Sequence, residues 1–284
     1  MLQQDFVPVA FDQWYQRRQR DEEGRFYQKI AEQGPRSDMN RTTQGFYIAS
    51  GDGELLHYNN NRGPDRIKKL MRQVLEANRD WSATQVHTEN QKTDDWGPWP
   101  ANTIVVQVNT KVLGGYEASD NRYARIMQQA TGRDNLWIYR DEWNQMLSGH
   151  FPDSLAEKIV RFHGVDNTRG EPPMWTANEI RKLEIGLQAN GTISGRIELS
   201  TDDGKRSFQA DVFGKLETQA QTITRFDLVL KGDFQGAGRY TPGSPKGQFP
   251  LAVAFRLADE SDVATAVRPQ ALKAFGRGYL HMGN

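Results

Sequence analysis

The stretch RFHGVDNTRGEPPMW, residues 161–175, lies where the hydrophobic pattern of the chain changes. Segments before it mix helical and strand patterns, whereas segments after it alternate apolar and polar residues almost throughout. The stretch therefore separates a mixed part from a part made mostly of strands. We predict an α+β chain with three segments, 1–80, 81–175 and 176–284, the last of them an antiparallel β domain.

The same stretch is rich in groups that bind ligands or transfer protons. His163 with Asp166 offers the imidazole–carboxylate combination that general bases use. Arg169 could hold a carboxylate or phosphate through two hydrogen bonds, and Glu171 could serve as a second acid or base. These four are the candidate catalytic residues. The alternative is an arginine–carboxylate network that only pins a connector, and it is favoured because no recognisable nucleophile accompanies them.

Alternating apolar positions predict the β domain. They are Leu183, Ile185, Leu187, Ile193, Ile197, Leu199, Phe208, Ala210, Val212, Phe226, Leu228, Leu230, Leu251, Val253 and Phe255. Turn-forming residues separate these runs at Asn190-Gly191, at 202–204 and at 231–233. Four or five strands joined by such turns are typical of an antiparallel sandwich or a small barrel.

Segment 81–175 carries patterns of both kinds. Its predicted elements are strands over 103–113 and 136–138 and helices over 120–131, 141–147 and 154–162. The helix over 120–131 places Tyr123, Ile126, Met127 and Ala130 on one face, and Gly132 is its predicted C-terminal cap.

Segment 1–80 shows a second mixed pattern. Its predicted elements are a strand over 6–11, a helix over 14–33, a hairpin over 45–58 and a helix over 64–75. The last is the clearest helix of the chain, because apolar residues recur at Ile67, Leu70, Met71, Val74 and Leu75.

This order resembles the later part of a thioredoxin-like domain. The resemblance depends on FVPVAFD at 6–12, TTQGFYIASGDGELL at 42–56 and PDRIKKLMRQVL at 64–75, and it covers about the first eighty residues. The family's first strand and its Cys-x-x-Cys helix would lie before Met1, and residues 41–44 lack the family's cis-proline. The resemblance therefore implies no redox residue here. The run 103–108 could supply a substitute strand.

Composition excludes several classes of protein. The 36 basic and 36 acidic side chains cancel, so we expect neither nucleic acid nor a membrane as a partner. No apolar run approaches the roughly 20 residues of a membrane span. The absence of cysteine excludes disulfides, thiolate catalysis and zinc–thiolate sites. None of the five histidines has a helical metal-binding spacing, and we predict no cofactor and no metal.

Two further features are candidate ligand sites. The glycine-rich loop over 232–247 lacks the spacing of a dinucleotide loop or a P-loop, but Arg239 and Tyr240 could form a lid over a ligand. Trp137 and Trp175 belong to a set of tryptophans that could stack on a sugar or a peptide. A long hairpin connection and ordinary core packing are the alternatives.

The leading functional hypothesis is a non-redox binding or interaction protein on a degenerate thioredoxin-like scaffold, with an unknown ligand or protein partner. One alternative is a hydrolytic enzyme that uses His163 and Asp166 with Arg169 as an anchor. Another is a thiol oxidoreductase that lacks its redox helix. Without a signal segment or apolar span in the chain we expect a soluble, cytoplasmic protein. A sheet edge left open by a missing first strand would favour a homodimer.

Overall fold

The computed structural model describes residues 2–9, 11, 13–20, 22–61, 63–79, 102–168, 170, 172–237, 243–259, 265, 267–272 and 277–280. The chain divides into two compact units, Met1–Pro98 and Trp99–Asn284, here called the first and second units. Each is built around its own elements.

The first unit combines helices with one β-hairpin. Its elements are α1 (Leu2–Asp5), α2 (Gln13–Gln16), α3 (Glu22–Glu32), β1 (Phe46–Ala49), β2 (Leu55–Asn59) and α4 (Pro64–Ala77). The two strands pair antiparallel, and Gly53 adopts a φ of 85° in the turn between them. The buried face of α3 supplies Tyr27, whose hydroxyl lies 2.6 Å from Thr43 Oγ1. The predicted hairpin and the helix that follows it are confirmed.

Two predictions for the first unit are wrong. The run over 6–11 forms no strand in its described residues, because Pro8 has no N–H to pair and Val7 and Val9 are exposed. The helix predicted over 14–33 is two helices, since the chain turns between α2 and α3. A Cβ at Gly24 would overlap Gln19, so glycine permits this close approach.

The second unit is built on one seven-stranded antiparallel sheet. Its strands are β3 (Ile104–Val112), β4 (Gly132–Ile138), β5 (Ile180–Leu187), β6 (Thr192–Ser200), β7 (Ser207–Gln219), β8 (Thr222–Gln235) and β9 (Gln248–Leu257). They lie in the order β4-β3-β9-β8-β7-β6-β5. The large antiparallel sheet is therefore confirmed. Among the described residues of this unit the strands form one sheet, rather than the two facing sheets of a sandwich.

The sheet includes strands from both sides of residue 175. β3 pairs with β9, so Val108 lies opposite Phe255. The run over 103–108 therefore completes this sheet and is not a substitute strand for the first unit. Gly132 does not cap a helix either; it begins β4, and a Cβ there would overlap the carbonyl of Asn167.

The helices of the second unit pack on the apolar face of the sheet. They are α5 (Arg122–Gln129), α6 (Arg140–Leu147), α7 (Asp153–Lys158), a π-helical segment (Ile159–His163), a 3₁₀ turn (Ala177–Glu179) and α8 (Arg277–Leu280). Met146, Leu155 and Ile159 join the strands in one hydrophobic core. α5 is the exception, because none of its residues is buried. Among the described residues, no helix has the length and apolar character needed to cross a bilayer.

Glycines occupy positions where neighbouring strands approach closely. Gly195 and Gly232 each lie two positions from buried apolar residues of the same strand, so they are on the strand face that points toward the core. A Cβ at Gly195 would overlap Glu184, and one at Gly232 would overlap Gln209. Glycine in a strand interior often marks a tight bend or a close backbone approach. These positions therefore set the shape of the surface against which the helices pack.

Candidate functional site

The connector, residues 161–175, begins inside the π-helical segment, and that segment ends at His163. Single π turns within helices are frequent at functional sites. The His163 side chain is fully buried, and its Nδ1 lies 3.2 Å from Asp134 Oδ2 on β4 without the alignment of a hydrogen bond. The backbone amide of Gln270 donates to the other Asp134 oxygen at 2.9 Å. This carboxylate therefore links β4, the connector and the C-terminal segment.

A buried ion pair lies nearby, between Lys158 and Glu142. Lys158 Nζ lies 2.7 Å from Glu142 Oε2, donates to the Trp137 carbonyl at 3.2 Å and stands 3.9 Å from the centre of the Tyr139 ring. Glu142 also accepts from the Tyr139 backbone N–H at 2.8 Å and from the Ser154 hydroxyl at 3.2 Å. Burial lowers the pKa of Lys158, and the Glu142 carboxylate opposes that shift.

Tyr279 of α8 lies between the two pairs. It is completely buried, and its hydroxyl accepts from the Trp137 backbone N–H at 3.2 Å. Its ring centre is 5.6 Å from Lys158 Nζ and 6.5 Å from the His163 ring. Burial raises the pKa of Tyr279 well above its usual value. We call this group the buried polar cluster; its members are Asp134, Tyr139, Glu142, Lys158, His163 and Tyr279.

The cluster does not contain the pair expected from sequence. The carboxylate beside His163 is Asp134, not Asp166. Asp166 instead accepts from the backbone N–H of Thr168 at 3.1 Å and from its hydroxyl at 2.7 Å, which closes a local turn. Arg169 and Glu171 lie outside the described residues. Sequence reasoning missed Asp134 because only the folding of β4 against the π-helical segment brings it near.

The tryptophans expected to stack on a ligand are core residues. Trp137 is 1% exposed and Trp175 is 0% exposed. The indole N–H of Trp175 donates to the Gly164 carbonyl at 2.7 Å, and the Arg206 guanidinium lies 3.8 Å from the ring centre. Arg206 also donates to the carbonyls of Pro173 and Met174, so it fastens the connector to the sheet. These contacts support the alternative in which residues 161–175 are a connector pinned by its polar contacts.

A small cavity borders the end of the connector. It is lined by Asp166, Pro172, Pro173, Arg206, Phe234, Gly236 and Ala237 and encloses about 10 Å³. That space suits about one water molecule rather than an organic ligand. Arg239 and Tyr240, expected to cover a ligand, lie outside the described residues.

The first unit has a larger but shallow depression between α3 and the hairpin. Its volume is about 600 Å³, and its lining residues are Arg25, Gln28, Lys29, Glu32, Gln33 and Glu54. Gln33 donates to the Gly53 carbonyl at 2.8 Å and accepts from the Leu55 N–H at 3.0 Å. Lys29 donates to the Asp52 carbonyl. These two lining side chains hold α3 to the hairpin and are already engaged.

Among the described residues of the second unit, the most exposed apolar surface of a helix is on α5. Tyr123 is 79% exposed, Ile126 52% and Met127 44%. Their spacing of i, i+3 and i+4 places them together, and we call this surface the outer face of α5. Sequence periodicity predicted that these side chains share a face. It gave no indication that the face would point away from the core.

Polar contacts fix α5 in this orientation. The Asn121 side chain accepts from the N–H groups of Tyr123 and Ala124, which caps the first turn. Lys111 Nζ donates to the carbonyls of Gln129 and Ala130 at 2.7 and 3.1 Å, which satisfies the last turn. The Gln128 side chain donates to the Glu117 carbonyl at 2.9 Å. The helix is thus capped at its first turn and is bound to the rest of the unit at its last turn and on its inner side.

Within the part of the chain that the structure describes, no three His, Asp or Glu side chains are placed to hold a metal ion. Comparisons with protein-family models, with curated proteins and with solved structures find no match for this chain.

Proposed function

We propose that the protein is a non-redox binding protein and that it binds a partner protein through the outer face of α5. The observation that carries this proposal is the exposure of three adjacent large apolar side chains on a helix held by polar contacts. Helices of folded proteins normally turn their apolar stripe toward the core. A contiguous exposed apolar patch is typical of an interaction site.

The buried polar cluster supports the same proposal, because a substrate cannot reach its side chains. A general base must reach within about 3 Å of the proton that it takes from a substrate. The imidazole of His163 and the ammonium of Lys158 are fully buried and lie against Asp134 and Glu142. This burial counts against the hydrolytic alternative, because neither side chain is accessible to a substrate.

The thioredoxin-like character of residues 1–80 belongs to the same proposal. The order of α3, the β1–β2 hairpin and α4 supports the helix–hairpin–helix part of the resemblance, whereas its expected strand over 6–11 does not form in the described residues. We propose that the first unit is a scaffold without thiol chemistry, since the chain contains no cysteine.

Site-specific photocrosslinking tests the binding surface. A benzophenone amino acid is placed at Tyr123, at Ile126 or, as the control, at Phe213, which is 57% exposed on β7. The full-length protein is irradiated in extracts of its source organism, and adducts are identified by mass spectrometry. We expect the same partner protein from both α5 positions and not from the control. Equal adducts from Phe213, no adduct, or a crosslink within the chain itself would refute the proposed surface.

A further inference from the structure

We infer that the partner segment is an amphipathic helix that carries acidic residues along one flank. This inference rests on the proposed function, because it names the chemistry of the partner for the outer face of α5. It depends on the distribution of charge around that face and on its size.

The basic residues of α5 lie along one edge of its apolar face. Arg122 and Arg125 are exposed and are three positions apart, so they stand on neighbouring turns. Ile126 lies four positions after Arg122, which places the apolar and basic groups side by side. Among the described residues neither arginine forms an ion pair, and α5 contains no acidic residue. A partner with carboxylates on the matching flank would meet both charges.

The size of the face matches a single helical segment. α5 has eight residues, so it is about 12 Å long at 1.5 Å per residue. Three side chains over two turns offer much less than the roughly 800 Å² per partner of a stable protein interface. A second copy of the chain is a poor occupant for the same reason. An antiparallel contact between identical faces would also bring two arginine-bearing flanks together.

An anionic membrane could also attract the two arginines. However, Asp120 is exposed immediately before the helix, so it would approach the same negatively charged surface. Glu117, by contrast, is paired with Lys246 at 3.1 Å. The geometry therefore favours a discrete acidic segment, whose carboxylates can be placed on one flank only.

Two designed peptides test the inference. Both are helices of about five turns with leucine at the i, i+3, i+4 and i+7 positions, and one flank carries only glutamate or only lysine. Fluorescence anisotropy measures their binding to the full-length protein. We expect the glutamate peptide to bind about tenfold more tightly than the lysine peptide, with a preference that shrinks as salt rises.

Two variants make the test specific. Ile126→Ser should weaken binding of the glutamate peptide by about tenfold or more, because an apolar side chain is lost from the contact. The R122E/R125E double variant should prefer the lysine peptide. It should keep the helix, because acidic residues near a helix N-terminus are favourable. Phe213→Ser is the control and should bind like the parent protein.

Several outcomes would overturn the inference. They are equal binding of the two peptides, no binding of either, an unchanged preference in R122E/R125E, or binding to phosphatidylcholine vesicles only when phosphatidylglycerol is present. Concentration-dependent dimerisation that is abolished by Ile126→Ser would identify a second copy of the chain as the occupant of this face instead. If photocrosslinking identifies a partner but the peptides show no preference for glutamate, the proposed function stands and its partner chemistry is wrong. If photocrosslinking also fails, both are wrong.

Discussion

Replacing Glu142 by glutamine should destabilise the second unit by about 3–5 kcal/mol, because it leaves the buried Lys158 ammonium without its counter-charge. Glutamine has nearly the shape of glutamate and can still accept from the Tyr139 backbone N–H, so the start of α6 is preserved. What is lost is the charge 2.7 Å from Lys158 Nζ. The remaining partners of that ammonium are the Trp137 carbonyl, the Tyr139 ring and, at 5.6 Å, the Tyr279 ring.

The loss of stability expected for Glu142→Gln can be compared with that of a variant from which both charges are removed. Lys158→Met with Glu142→Gln should cost less than Glu142→Gln alone, because no charge is then buried without compensation. Urea unfolding followed by near-ultraviolet circular dichroism gives both free energies, and each kcal/mol corresponds to about 2–4 °C of Tm in a unit of this size.

The pH dependence of the free energy of unfolding provides an independent test. The pKa of Lys158 is lower in the folded chain than in the unfolded chain, so the folded state binds fewer protons. Stability of the Glu142→Gln variant should therefore rise as the pH rises toward the unfolded lysine pKa of about 10.4. A cost of less than about 1 kcal/mol for Glu142→Gln, or a double variant that is the less stable of the two, would show that Glu142 does not compensate the buried charge of Lys158.

Two further predictions concern the core of the second unit. Tyr279→Phe should reduce the loss of stability above pH 10. The raised pKa of Tyr279 stabilises the folded chain below the unfolded tyrosine pKa of about 10, and that contribution is lost as the pH rises further. Urea unfolding of both proteins across the alkaline range measures the difference, and equal slopes would show that Tyr279 does not ionise in the unfolding step. Gly232→Ala should cost about 1–3 kcal/mol, because its Cβ would overlap Gln209, whereas Gly186→Ala should cost less, because the nearest atom to its Cβ is the Ser194 carbonyl oxygen at 3.9 Å. A thermal melt that ranks the two variants in the opposite order would contradict the close approach of the strands.

The hydrophobic periodicity of the sequence predicted those strands and helices that pack one face on a core. The alternating runs after residue 176 became β5 to β9, because one face of each strand packs on a continuous core. The turn predicted at 231–233 is wrong, because β8 continues through those residues. The apolar stripe of α4 likewise predicted that helix. The strand predicted over 6–11 failed because a short apolar run has no period and Pro8 removes a donor.

The candidate site could not be predicted in the same way, because its contacts are distant in sequence. His163 meets Asp134 only after β4 has paired with β3 and the π-helical segment has packed against the sheet. Asp166, three residues from His163, was the nearer candidate, but its carboxylate is used by Thr168. A spacing in sequence indicates which groups can meet within one element, and it carries no information on pairing between elements.

α5 shows why a hydrophobic pattern alone does not identify a binding surface. The spacing of Tyr123, Ile126 and Met127 is the same whether the helix covers a core or faces away from it. Polar contacts hold this orientation, because Lys111 on β3 binds the last carbonyls of the helix and Gln128 on its inner side binds the Glu117 carbonyl. Turning the apolar face inward would break the Gln128 contact. The exposed face is therefore as specifically built as the buried polar cluster, and this is the physical reason to look for the function of the chain on its surface.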